Sequence, residues 1–228
     1  RSYSENVLSK ISTNYEIIPS NFSNIKEELS KRGVTKIDGV LFDLGVSSPQ
    51  LDDVSRGFSF HADAPLDMRM DKSAKKSAYD VVNNYSIDEL ARIIKCYGEE
   101  KYYRKIARKI VEERQKKPVK TTLELANVIS SCVPAKYKRL TNPARRTFQA
   151  IRIEVNDELK PLEKTVKDCI ESLKPKGRLC IITFHSLEDR IVKNAYLDAK
   201  GKCTCPKDLP YCVCGATSQG NIITRKPI

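Results

Sequence analysis

Ile37–Leu44 reads IDGVLFDL and runs directly into Gly45–Met70, GVSSPQLDDVSRGFSFHADAPLDMRM. The first stretch is short and mostly apolar, with Asp38 near its start and Asp43 near its carboxyl end, which predicts a buried strand. Upstream, Tyr15–Pro19 (YEIIP) predicts another short buried strand. Asn21-Phe22-Ser23-Asn24 between them is a turn or cap opening a helix that stops at Gly33, a natural residue just past a helix end. Two strands separated by one helix suggest a βαβ unit and a parallel sheet. Downstream, Arg178–Phe184 (RLCIITF) predicts a further buried strand, and His185-Ser186-Leu187-Glu188-Asp189-Arg190 opens the helix after it. The fold class expected is therefore α/β.

Between these strands the chain reads differently. Gly45–Met70 predicts a long loop, and a structureless stretch of that length inside a compact domain is usually functional. Ser86-x-x-Glu89 and Thr121-x-x-Glu124 are capping boxes, each starting a helix. Glu99–Lys117 places Tyr103, Ile106 and Ile110 on one helical face, with Lys101, Lys105 and Arg108 on another. Asn142–Leu173 predicts two helical stretches broken near Lys160-Pro161, with Lys174–Gly177 ending the second. Residues 2–11 predict a short first helix and Ile222–Lys226 a short last strand. The expected organisation is 1–80 as the first part of an α/β core, 81–142 as an inserted helical domain, and 143–228 as the second part of the core.

The 228 residues carry 41 Lys+Arg against 29 Asp+Glu, a net charge of +12, and 40% are hydrophobic. That composition excludes a disordered tail, and no apolar run approaches the roughly 18–20 residues needed to span a bilayer. The N-terminus has no apolar core of the secretory kind. Arg92–Arg146 alone holds 16 Lys/Arg and 5 Glu, so one internal segment carries nearly all the excess charge. Such a concentration suits a surface that tracks a phosphate backbone, although a solvated, solubilising helix face has the same signature.

Of the 8 cysteines, Cys96, Cys132, Cys169 and Cys180 lie among apolar residues and read as reduced core thiols. Cys203, Cys205, Cys212 and Cys214 form Cys-x-Cys-x6-Cys-x-Cys, a cluster suited to structural zinc. Reduced or redox-active thiols and disulfides remain alternatives to the metal. In open α/β sheets ligands bind beyond the carboxyl ends of the strands, where Asp43–Gln50 and Phe184-His185-Ser186 both fall. Asp43 could accept hydrogen bonds from a cationic or amino-bearing ligand, and His185 could be a base or a donor. A strand-end turn with a capping acid, and a structural histidine, fit the same residues.

Six stretches together resemble one family. They are Asn21–Asn24 (NFSN), Asp38–Gln50 (DGVLFDLGVSSPQ), Arg56–Met70 (RGFSFHADAPLDMRM), Tyr97–Glu100 (YGEE), Arg146–Leu159 (RTFQAIRIEVNDEL) and Gly177–Val192 (GRLCIITFHSLEDRIV). The chain is similar to the RsmH (MraW) family, S-adenosylmethionine-dependent methyltransferases acting on N4 of a cytidine in bacterial small-subunit (16S) ribosomal RNA. The resemblance implies a class I, Rossmann-like methyltransferase core with an inserted all-α domain. It also implies two earlier strands with a Gly-rich loop, and a basic C-terminal segment, so a version shortened at both ends is expected. By resemblance Phe22, Asp43 and Gln50 bind the cofactor, and Asp43 and His185 are catalytic candidates. Asp63, Asp67, Arg69, Asn156, Asp157 and His185 are candidates for the cytidine pocket, while Lys101, Arg104, Lys105, Arg108 and Lys109 would grip RNA. The implied partner is 16S ribosomal RNA or the small ribosomal subunit in the cytoplasm, with no membrane and with a homodimer as an option. The other reading is a non-catalytic RNA-binding remnant lacking the Gly-rich cofactor loop.

Overall fold

The computed structural model describes residues 2–140, 142–201, 205–206, 209–211, 213–215 and 217–224. In chain order the elements are α1 (Ser2–Leu8), a 3₁₀ turn (Phe22–Asn24), α2 (Ile25–Lys31), β1 (Ile37–Asp43), α3 (Ser48–Asp52) and a second 3₁₀ turn (Val54–Arg56). They continue with α4 (Ala78–Asn84), α5 (Ile87–Cys96), α6 (Tyr103–Lys116), α7 (Thr122–Ser131), α8 (Ala135–Leu140) and α9 (Ala144–Asn156). The last are α10 (Leu162–Ser172), β2 (Leu173–Ile182) and α11 (Ser186–Ala199). The protein is thus α/β, with a small parallel sheet and many helices.

The chain forms two compact units, one from residues 1–44 with 161–228 and one from 45–160. In the first, β1 and β2 run parallel with Gly39 opposite Arg178 and Asp43 opposite Ile182. Val40, Phe42, Leu179 and Ile181 are half-buried while Leu41, Asp43, Cys180 and Ile182 between them are exposed, as the two-residue alternation of strands requires. Phe42, Leu179 and Ile181 pack on a small core of Leu44, Leu162, Val166, Val192 and Ala195. The other face carries Leu41 at 67% exposure, and Phe184 just beyond β2 is 66% exposed.

Residues 45–160 share a larger core. Val81 and Val82 of α4, Leu90, Ile93 and Ile94 of α5, Ile106 and Ile110 of α6, and Phe148 and Ile151 of α9 are buried together with Phe58, Leu66 and Met68 of the long loop. The helices of 81–142 therefore share their core with residues on both sides of that range. The reason is amphipathicity: the apolar stripes of α5 and α6 need cover, and α9 and the loop supply it. Both predicted capping boxes form: Ser86 Oγ accepts the Glu89 N–H (3.2 Å) and Thr121 Oγ1 that of Glu124 (3.3 Å). Their acids bond back to the cap amides at 2.7 and 3.2 Å.

Four local expectations need correction. Cys96 and Cys180, read as core thiols, are exposed. Tyr15–Pro19 has no regular structure, and the strand parallel to β1 is β2. Pro19 lacks the N–H a ladder needs, and Glu16 is held outward by Arg32 at 2.6 Å. Lys174–Gly177 does not close a helix but lies within β2, as a register irregularity opposite Ile37–Gly39 with Lys176 at φ 67°. Residues 222–224 have no regular structure, and the rest of that predicted strand lies outside the described residues, as do Cys203 and Cys212. Within the long loop, Pro49 in the first turn of α3 and the Asp53 cap of the second 3₁₀ turn supply short helical pieces.

Candidate active site

In the first unit, the carboxyl ends of β1 and β2 stand side by side, tied past the last pair by Leu44 N–H donating to the Ile182 carbonyl at 3.2 Å. Asp43 is exposed there, and its carboxylate makes no hydrogen bond or ion pair with any described residue. Phe22 is half-buried, its ring meeting Phe42 edge-on at 6.0 Å between centroids. Asn21 fixes that turn by accepting the Ser23 N–H on Oδ1 at 3.0 Å. Phe22 thus sits with Phe42 against the covered side of β1, while Asp43 lies on the strand's exposed side.

His185 occupies the N-cap of α11, its Nδ1 accepting the Glu188 N–H at 3.4 Å. Glu188 is buried; one carboxylate oxygen accepts the Phe184 N–H at 2.9 Å and the other lies 3.3 Å from His185 Nε2. His185 therefore caps the helix through its imidazole, while Glu188 reaches back past the cap to the Phe184 amide. The sequence singled out the histidine and missed the glutamate, although the three-residue spacing was the signal.

In the second unit, the loop's candidate residues are engaged in holding the loop. Gln50 Oε1 accepts both the Ser47 N–H (3.0 Å) and the Ser47 hydroxyl (3.1 Å). Arg69 forms a two-pronged pair with Asp67, Nε to Oδ1 at 2.7 Å and Nη2 to Oδ2 at 2.9 Å. That pair holds the Asp67 carboxyl below its ordinary range. Asn156 donates to the Met68 carbonyl at 2.8 Å and accepts the Met70 N–H at 2.7 Å. Arg56, not singled out from sequence, donates to the Arg69 carbonyl at 2.6 Å and the Met70 carbonyl at 3.1 Å. Asp63 is exposed, and Asp157 ends α9 at φ 52° and pairs with Lys160 at 2.8 Å.

On the same unit, Lys101, Arg104, Lys105 and Arg108 are exposed along the start of α6. Lys109 differs, since Glu113 holds it at 2.7 Å. Of the cysteine cluster, only Cys205 and Cys214 are described, and Cys205 Sγ accepts the Val213 N–H at 3.3 Å. No described helix is long and apolar enough to cross a membrane.

Comparison with known proteins adds the decisive observation. The model of the MraW methylase family matches residues 2–228. This chain belongs to the MraW methylase family. Among the family's members, ribosomal RNA small subunit methyltransferase H of Clostridioides difficile is 57% identical over 222 residues, covering 97% of this chain and 71% of that protein. The protein of the same name from Brevibacillus brevis is 55% identical over 213 residues, 93% of this chain and 68% of its own. That of Ruminiclostridium cellulolyticum is 53% identical over 220 residues, 96% and 70%. The stretches quoted above all lie within the matched residues. In Tyr97-Gly98-Glu99-Glu100, a Cβ on Gly98 would lie 2.6 Å from the Arg146 carbonyl, and Glu100 is buried.

Proposed function

We propose that this chain is an S-adenosylmethionine-dependent methyltransferase of small-subunit ribosomal RNA, acting on N4 of a cytidine. The observation that carries the reading is the family match over residues 2–228, together with relatives above 50% identity that all bear the name ribosomal RNA small subunit methyltransferase H. It favours an enzyme over a non-catalytic remnant. The finer fold reading is a class I methyltransferase core around β1 and β2, with the helices of 81–142 as an insertion. The substrate reading places the protein in the cytoplasm.

The bound cofactor supplies a methyl group on a positively charged sulfonium. Phe22 offers a face for the adenine ring, and Asp43 and Gln50 would bind its polar groups. The exocyclic amine of cytosine is a weak nucleophile because its lone pair is delocalised into the ring, so alignment is the main task. In this reading the Asp43 carboxylate accepts the hydrogens of that amine and stabilises the positive charge that develops on nitrogen. His185 serves by capping α11, which fixes the strand end beside Asp43. The 45–70 loop, braced by Asn156 and Arg56, holds the target base once it has left its stack. A structural zinc on Cys203, Cys205, Cys212 and Cys214 rests on their Cys-x-Cys-x6-Cys-x-Cys spacing alone, and metal analysis of purified protein tests it.

The test is transfer of labelled methyl from S-adenosylmethionine to small-subunit ribosomal RNA, followed by nucleoside analysis. Asp43→Ala should lower the rate by at least ~100-fold, the scale of losing one aligned charge-stabilising group. Because Asp43 is exposed and unpaired among the described residues, the same change should leave the melting temperature unaltered. Full activity in that variant removes Asp43 from the mechanism.

A further inference from the structure

The charge excess of Arg92–Arg146 is not spread evenly once its ion pairs are traced. Lys109 and Lys116 share Glu113 at 2.7 and 2.9 Å, and Lys117 pairs with Glu124 at 3.2 Å. Arg92 of α5 is 3.6 Å from Glu154, while these three lie from the middle of α6 onward. Arg114 there is turned inward, donating to the Val82 and Tyr85 carbonyls at 2.7 and 2.6 Å.

The start of α6 and all of α8 are the opposite case. Lys95, Lys101, Arg104, Lys105, Arg108, Lys136, Lys138 and Arg139 are exposed, and none has an acidic partner among the described residues. Glu100, next to Lys101 in the chain, is turned inward: it is 1% exposed and accepts the Tyr137 hydroxyl at 2.6 Å and the Tyr102 N–H at 2.8 Å. That contact pins α8 to the turn before α6. Lys101 Nζ then sits 5.0 Å from the Tyr102 ring centroid and 4.9 Å from that of Tyr137, bridging the two elements. Tyr103 carries Lys95 at 5.6 Å and Arg104 at 5.5 Å.

We infer that the cations at the start of α6 and on α8, set by the Glu100–Tyr137 contact, form the surface that takes the RNA phosphate backbone, and that the later part of α6 does not. The inference rests on the RNA substrate of the proposed function and narrows it to one corner of the second unit. Two physical reasons select this corner. Cations without acidic partners release condensed counterions when they meet phosphate, whereas Lys109, Lys116 and Lys117 would first have to break ion pairs. Cations resting on tyrosine rings are held in place rather than freely waving, so less side-chain freedom is lost on binding. Lys138 and Arg139 extend the surface beyond the α6 stripe legible in sequence, and Lys109 drops out of it.

The experiment compares two triple variants of equal charge change, Lys105→Gln/Arg108→Gln/Lys138→Gln and Lys109→Gln/Lys116→Gln/Lys117→Gln. Each is checked for folding by circular dichroism. The probe is a single-stranded RNA oligonucleotide of mixed sequence, titrated over a range of salt. At about 0.7 per lost phosphate contact, the first triple should lower the slope of log affinity against log salt by ~2 and the second by well under 1. Equal losses in both triples, or a larger loss in the second, overturn this surface even if the wild-type protein methylates ribosomal RNA. Wild-type protein that neither binds RNA nor transfers methyl overturns the proposed function along with it.

Discussion

Met68 shows how much a single backbone position asks of its neighbours. It is buried at 1% exposure with φ at 56°, a left-handed conformation that costs a residue with a side chain ~1 kcal/mol or more. Asn156 secures it from both sides through the Met68 carbonyl and the Met70 N–H, and Arg56 holds the next two carbonyls. Asn156→Ala should therefore destabilise the second unit by roughly 2–3 kcal/mol, read by urea denaturation, because it strands a part-buried carbonyl and amide. Asp67 and Arg69 act in the same loop, and the pH sign follows from the lowered Asp67 pKa. The stabilisation is fully present above about pH 4, the ordinary carboxylate pKa, and is lost as pH falls through the lower folded value. Asp67→Asn should thus be less stable than wild type by ~1–2 kcal/mol at neutral pH, with the gap closing in acid; a pH-independent gap would refute the ion pair as its source. The sequence marked these residues as special without revealing that their hydrogen bonds go to the loop's own backbone. Side chains three or ninety residues apart look alike until the chain brings them together.

At the scale of elements, the capping boxes of α5 and α7 were legible because both partners lie within one turn of each other. Tyr97–Glu100 was legible only as a motif. Gly98 is required because a Cβ there would lie 2.6 Å from the Arg146 carbonyl and 2.7 Å from that of Ile94. Gly98→Ala should cost ~1–3 kcal/mol by forcing the end of α5 from the start of α9, and calorimetry should register a lower Tm. Tyr137→Phe should cost roughly 1.5–3 kcal/mol, since it leaves the buried Glu100 carboxylate short of a donor. Burial, aided by Glu100, pushes the Tyr137 phenol up to about 12, so its hydroxyl stays a donor throughout the neutral range. The Tyr15–Pro19 expectation failed at this same scale. Apolar residues in a row make a strand only where another strand supplies their hydrogen bonds, and β2 occupies the edge of β1 instead.

Across the whole molecule, the two units differ in the depth of their cores. Residues 45–160 bury apolar side chains from α4, α5, α6, α7 and α9 together, whereas the first unit's sheet has one covered face. Hydrogen exchange should accordingly find the slowest amides in α5, α6 and α9 and earlier exchange in β1 and β2; the reverse order would contradict this assignment of stability. The sequence by itself determined that Ile37–Leu44 and Arg178–Phe184 carry strand, which β1 and the second half of β2 bear out, together with the helix starts, the family, and the location of the charge between Arg92 and Arg146. Those are written in local periodicity, capping spacings and motif identity, which need no knowledge of distant residues. Only the tertiary structure decided that β1 pairs with β2, that the loop from Gly45 shares a core with α9, that Asn156 and Arg56 brace Met68, and that part of the basic segment neutralises itself. Each of those depends on which groups far apart in the chain come within a few ångströms, and hydrogen bonds and ion pairs are decided at that range.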